Sequence, residues 1–222
     1  MKRKNKLVNN KVYHVFSCSI ANYTVFNNPS DYQRMLELFQ FYQIKNRPLS
    51  FSAYLKLNLV KNIGFQATLD SLSKDDDNLV QIIAYCLMPT HIHLILKQLQ
   101  DGGISTFMGN VLNSYSRYFN LNHHRKGPLW ESKFQNVPVE NDELLLHLLR
   151  YLHLNPVTAF LVDRPEDWPY SSYLEFIGLP QAVKLCQVAD LVSITPEKYQ
   201  KFVNERANYQ RKLARIKKLI LE

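Results

Sequence analysis

The chain has 222 residues, 46% of them hydrophobic and 21% charged, which suits one sizeable globular domain with or without an appendage and excludes a disordered chain. Its formal net charge of +8 fits a polyanionic partner such as nucleic acid, through phosphate contacts and counterion release, although solubility alone is a second use for such charge. Cys18, Cys86 and Cys186 stand far apart with no Cys-x-x-Cys pair, so neither a disulfide framework nor a structural zinc site is expected.

The basic start, Met1-Lys2-Arg3-Lys4-Asn5-Lys6, lacks the apolar stretch of a signal peptide. No apolar run approaches the ~20 residues that cross a bilayer. A cytoplasmic, nucleoid-associated protein with no membrane partner is therefore expected. Val12 to Ile20 is rich in β-branched and aromatic residues and predicts a first strand. His14 lies in it, either facing a site or packing, and packing is the expectation. Asn28-Pro29-Ser30-Asp31 predicts a helix start capped by Ser30 or Asp31, followed by an apolar stripe of Met35, Leu36, Leu38, Phe39 and Tyr42. Ser50 to Ile63 predicts a short helix with Phe51, Tyr54, Leu55 and Leu59 on one face. Asp75–Asp77 lacks the spacing and glycine of a calcium loop and reads as a solvated turn.

Leu79–Met88 and His91–Gln98 are two apolar runs separated by Pro89-Thr90, the pattern of an antiparallel hairpin. Side chains alternate along a strand, so His91 and His93 share one face. Two neutral imidazoles side by side can hold a divalent cation, or they can simply be a solvated strand edge. Ile104 to Asn122 predicts a helix with Tyr115 on its apolar stripe and Arg117 on its polar side. The loop from Asn122 to Phe134 is basic and aromatic. Its Lys and Arg residues suit phosphates, and Trp130 and Phe134 suit stacking on unpaired bases or plugging a core edge.

Asn141 or Asp142 caps a helix expected from Glu143 to about Leu154, with Leu144, Leu145, Leu148, Leu149 and Leu152 on its buried side. His147, Tyr151 and Asn155 recur every four residues as a neighbouring stripe. Pro156 biases Asn155 to the helix end, so the residues alone read as a rim tyrosine and a capping amide. Asp167 to Tyr173 has turn chemistry and packs back on the domain. Thr195-Pro196-Glu197 starts a basic helical tail.

Met88-Pro89-Thr90-His91-Ile92-His93-Leu94-Ile95, Gly127-Pro128-Leu129-Trp130 through Phe134, Tyr151-Leu152-His153-Leu154-Asn155-Pro156-Val157, and Trp168-Pro169-Tyr170-Ser171-Ser172-Tyr173 follow one another in a familiar order. Over about residues 11–175 the chain resembles the REP-associated tyrosine transposases, relatives of the single-tyrosine HUH transposases. The resemblance implies an α+β, ferredoxin-like (RRM-like) sandwich with an antiparallel sheet over 1–180; the basic helical extension over 181–222 is read from the sequence alone. It implies a DNA transposase that nicks and joins single-stranded DNA near hairpins through a 5′-phosphotyrosine, as a monomer or homodimer. Tyr151 would be the nucleophile, and His91, His93 and Asn155 would bind Mg²⁺ or Mn²⁺. Arg117, His124, Arg125, Lys126, Trp130 and Lys133 would contact DNA. The chain departs from the family in an extra stretch around 45–78, in the tail after 180, and in Lys133 where an arginine is frequent. The rival expectation is a hairpin- or single-strand-binding protein without chemistry.

Overall fold

Four antiparallel strands, β1 (Val12–Cys18), β2 (Val80–Met88), β3 (His91–Gln98) and β4 (Gln135–Val139), form one sheet in the order β2-β3-β1-β4. The computed structural model describes residues 6–72, 78–181, 184–187 and 194–221. Helices α1 (Pro29–Gln43), α2 (Phe51–Tyr54), α3 (Asn58–Ile63) and α4 (Phe65–Leu72) lie between β1 and β2 in sequence, and α5 (Gly103–Asn122) lies between β3 and β4. This is the βαββαβ order of a ferredoxin-like sandwich, as the sequence led one to expect. After β4 come α6 (Asp142–Thr158), the single turn α7 (Tyr173–Phe176) and α8 (Pro196–Leu221).

Alternation along the strands divides the core into two layers. Val15, Ile92, Leu94 and Leu96 pack with Met35, Phe39, Phe107 and Val111 of α1 and α5. Ile83, Ala84, Cys86 and Ile95 pack on the other face with Leu145, Leu149 and Leu152 of α6 and with Tyr199 and Val203 of α8. His91 and His93 belong to this second face, because their neighbours Ile92 and Leu94 belong to the first. The β2–β3 turn is only Pro89-Thr90, and its carbonyls accept backbone N–H groups of Ser19 at 2.9 Å and Val25 at 2.8 Å. After β3 the chain needs glycine twice. Gly102 has φ +67°, and a Cβ on Gly103 would lie 2.2 Å from the Leu79 carbonyl oxygen.

Several local expectations change. Asn28, not Ser30 or Asp31, caps α1, accepting the Asp31 N–H. The single helix expected over 50–63 is broken into α2 and α3, and Leu59 is exposed. Asp75–Asp77 lies outside the described residues. Helix α6 runs through Pro156 to Thr158, so Asn155 is not its end. The proline removes one helix hydrogen bond, but Leu154 and Val157 on either side are fully buried and hold the last turn in place. Leu144 of α6 is exposed rather than part of the buried side. Among the described residues no helix is long and apolar enough to cross a membrane.

A polar network fastens α8 to α6 and the sheet. His153 is fully buried; its Nδ1 lies 2.6 Å from the Tyr199 hydroxyl and its Nε2 2.8 Å from Ser172 Oγ. Ser172 Oγ accepts the Tyr85 N–H and is placed to donate to the Tyr85 carbonyl. With that donor spent, the serine oxygen accepts from His153 Nε2–H, and Nδ1 accepts from Tyr199. The ring is therefore neutral, and burial lowers its pKa from 6.5 to about 3.

Above pH 6.5 the ring is neutral in the folded and unfolded chain, and the network contributes fully. Below that, the unfolded chain takes up a proton that the folded ring refuses until about pH 3. Stability should therefore fall on acidification by about 1.4 kcal/mol per pH unit from this ring. Urea unfolding at pH 6.5 and pH 5 is expected to show that His153→Gln loses about 2 kcal/mol less than the wild type across the interval. Equal losses would refute the assignment.

Candidate active site

β1 pairs with β3 so that Phe16 lies opposite His93 and Cys18 opposite His91, which brings His14 diagonally beside His93. The two rings are nearly parallel, 5.2 Å apart at 21°, and His14 Nε2 lies 3.0 Å from His93 Nδ1. His91 stands edge-on to His93, with ring centroids 5.0 Å apart, and its Nδ1 is 2.9 Å from Thr90 Oγ1. Both strand histidines thus have Nδ1 engaged, and neither Nε2 makes a hydrogen bond among the described residues.

All three rings are largely buried, and each is pushed toward neutrality by desolvation. His14 falls to about 4, His91 is lowered, and His93 lies well below its ordinary value, with His91 and His14 adding to the effect of burial. For His14 this corresponds to about 3 kcal/mol against the imidazolium. A neutral imidazole keeps a lone pair for a cation or a proton.

Helix α6 supplies the phenol. Asn141 caps it by accepting the Leu144 N–H, and Leu145, Leu149 and Leu152 seat it on the sheet. Tyr151 falls at the rim of that seat, 44% exposed, with its ring edge-on to His93 at 5.9 Å and to His14 at 6.3 Å. The other candidate tyrosines are elsewhere. Tyr115 is buried and donates to the Val25 carbonyl, and Tyr118 donates to Asp31 Oδ1. Burial raises the pKa of both.

Asn155 is one turn beyond Tyr151 on α6, half-buried, and its Nδ2 is buried without a hydrogen-bond partner. An orphaned buried amide is costly and needs a use. His147, the third member of the expected stripe, turns away, bonded to Arg150 at 2.8 Å and 3.9 Å from Glu143. Among the described residues no group of three or more His, Cys, Asp or Glu side chains is placed to hold a metal. The atoms that could face a cation are the Nε2 atoms of His91 and His93; the unpartnered Asn155 atom is the amide nitrogen, a donor, so only its amide oxygen, one turn beyond the phenol, could join them.

The basic loop is partly structural. Arg125 donates to Asn120 Oδ1 and the Pro128 carbonyl and lies 5.8 Å from the Tyr23 ring, so it braces the loop. Trp130 is 8% exposed, donates to the Leu112 carbonyl at 3.3 Å and lies 6.1 Å from Tyr115, which makes it the core plug. Its face is not presented for a base in this arrangement. Phe134 is buried as well. Arg117, His124, Lys126 and Lys133 are exposed. His14 is the residue that sequence reasoning set aside; its place on the first strand, with the same alternation as the strand pair, was the available signal.

Residues 65–155, from α4 to Asn155, match the family described as Transposase IS200 like. A Haemophilus influenzae protein designated, provisionally, a REP-associated tyrosine transposase is 29% identical over 103 residues, covering 42% of this chain and 58% of that protein. The REP-associated tyrosine transposase of Escherichia coli K12 is 24% identical over 98 residues, covering 44% of this chain and 56% of that protein. The chain thus matches a little over half the length of these curated relatives. A solved REP-associated tyrosine transposase, bound to a REP hairpin, superimposes with a TM-score of 0.53 at 16% identity, over 87% of this chain and 98% of that one. By sequence over the segment that carries His91, His93 and Tyr151, and by fold over most of its length, this chain resembles the REP-associated tyrosine transposases.

Proposed function

We propose that the protein cuts and rejoins single-stranded DNA beside a hairpin, with Tyr151 as nucleophile. The observation that carries this reading is the half-exposed Tyr151 phenol set edge-on against His93, with His91 beside it. In the cutting step a Tyr151 oxygen–phosphorus bond forms and the bond from phosphorus to the 3′ oxygen breaks. The phenolic proton passes to solvent, to which the ring is open, and the departing 3′ oxygen takes one up. The DNA 5′ end is left as a phosphotyrosine, and attack by a 3′ hydroxyl reverses the step. One ester replaces another, so no nucleotide triphosphate is consumed.

His91 and His93 through Nε2, and the Asn155 amide oxygen, would hold Mg²⁺ or Mn²⁺. A bound cation would supply positive charge that favours the phenolate and offsets charge gathered on the phosphate. The chain's own part is to hold those donors ready. Thr90 orients His91. His14, by accepting from His93 Nδ1–H, keeps the His93 lone pair on Nε2, where the cation needs it. Neither imidazole is lost to protonation near neutral pH, because burial keeps both neutral.

Incubation with hairpin-bearing single-stranded oligonucleotides and Mn²⁺ should give a covalent adduct stable to denaturing gels. Tyr151→Phe should abolish it while leaving DNA affinity within about twofold, since one hydroxyl is lost, whereas Tyr115→Phe and Tyr118→Phe should still form it. Peptide mapping that finds a nucleotide on any residue but Tyr151 would sink the assignment.

His91→Ala or His93→Ala should abolish the adduct and spare DNA binding. His14→Ala is expected to weaken Mn²⁺ binding, read by electron paramagnetic resonance, about 10–100-fold. His14→Gln, which keeps an acceptor, should recover part of it. Unchanged Mn²⁺ affinity in His14→Ala would remove the positioning role, and cleavage by the His91/His93 double variant would remove the metal site.

A further inference from the structure

A cavity of about 600 Å³ lies on the opposite side of the sheet from the histidines. Its walls are α1, the segment from Ser50 to Lys56, and one face of α5. That face presents Asn110, Asn113, Ser114 and Arg117, at helical spacings of three and four. Arg34 and Lys56 come from the other walls, and among the described residues no acidic side chain lines the cleft. The wall at 50–56 belongs to the stretch that the family resemblance does not cover, and it precedes the matched segment 65–155.

We propose that this cleft is a second seat for nucleic acid, which takes the phosphates and base edges of an unpaired strand outside the cutting site. The proposal rests on single-stranded DNA being the substrate. Arg34 is built in. Its guanidinium lies 4.9 Å from the Tyr118 ring and 5.1 Å from Phe51, and Glu37 stands 3.7 Å away and offsets part of its charge. Lys56 and Arg117 are exposed and make no ion pair among the described residues. Amides and a hydroxyl between cations are the groups that meet base edges and phosphates together.

A strand fits better than a closed small ligand because the track continues. A second cleft of about 560 Å³ lies across the α5 ridge; Asn113 lines both, Lys133 lines the second, and among the described residues it too has no acidic lining. A strand laid over α5 would be bound at a place that the cutting site, on the other face of the sheet, cannot reach. The two seats would then act as linked contacts on one DNA, and a long strand would gain what a short one does not.

The test uses fluorescence anisotropy with unpaired oligodeoxynucleotides of about 8 and about 40 nucleotides, on the full chain. The wild type should bind the long strand more than tenfold tighter than the short one, and Lys56→Glu with Arg117→Glu should reduce that ratio to within about threefold. The slope of log affinity against log salt for the long strand should become shallower by about 1.4, or about 0.7 for each lost phosphate contact. Ser52→Lys, at the exposed rim of the cleft, should steepen it by about 0.7. Matching thermal melts exclude misfolding. An unchanged ratio and slope in the charge-reversed variant, no response to Ser52→Lys, or displacement of the strand by polyglutamate as readily as by DNA would overturn the proposal. The Tyr151 adduct is scored separately, so failure of the cutting chemistry and failure of the second seat give different results.

Discussion

The structure depends on how the second face of the sheet is covered. A four-stranded sheet with α1 and α5 on one side leaves Ile83, Ala84, Cys86 and Ile95 to be buried on the other, and α6 does this with Leu145, Leu149 and Leu152. Each fully buried leucine contributes on the order of 2 kcal/mol. Once Leu149 and Leu152 face the sheet, the 100° step of a helix places Tyr151 at the edge of the contact. At that edge its ring stands edge-on to His93 and His14 and the residue stays 44% exposed. The position of the candidate site is therefore set by core packing.

Electrostatics divide the work between the two faces. The net charge of +8 suggests attraction for polyanions, yet the histidine cluster is neutral because three imidazoles are desolvated together. Charge in the cluster would cost burial energy and would close the lone pairs. The cations stand instead on exposed surface, at Arg117, Lys126 and Lys133, and around the cleft beside α5. Long-range attraction and local chemistry are thus carried by different residues, and a change in one need not disturb the other.

The segment that matches the transposase family and the helices before it also have different places in the fold. The matched part, from residue 65 to 155, carries the hairpin, α5, β4 and most of α6, and so His91, His93, Tyr151 and Asn155, whereas His14 comes from β1 outside it. The segment from Ser50 to Lys56, with α2, forms a wall of the cleft beside α1 and α5. The Leu-His-Leu-Asn-Pro run shows how closely chemistry and architecture are interleaved. His153, two residues after Tyr151, is wholly structural and ties α8 to the sheet through Tyr199 and Ser172.

The sequence by itself determined what local periodicity can determine. Alternation put His91 and His93 on one face, helical spacing put Tyr115 in the core, and the apolar runs marked the hairpin and the α5 helix. The order of four motifs pointed to the transposase relatives and to the ferredoxin-like fold. Tertiary structure alone decided the rest. His14 meets His93 because β1 pairs with β3 in one particular register, and no local pattern specifies the register between strands some eighty residues apart. Trp130 reads from the sequence as either a base-stacking face or a core plug, and the fold makes it the plug, while Arg125 braces the loop. Pro156 reads as a helix stop, yet burial of Leu154 and Val157 outweighs the lost hydrogen bond. In each case the deciding free energy comes from partners distant in sequence, which local pattern does not contain.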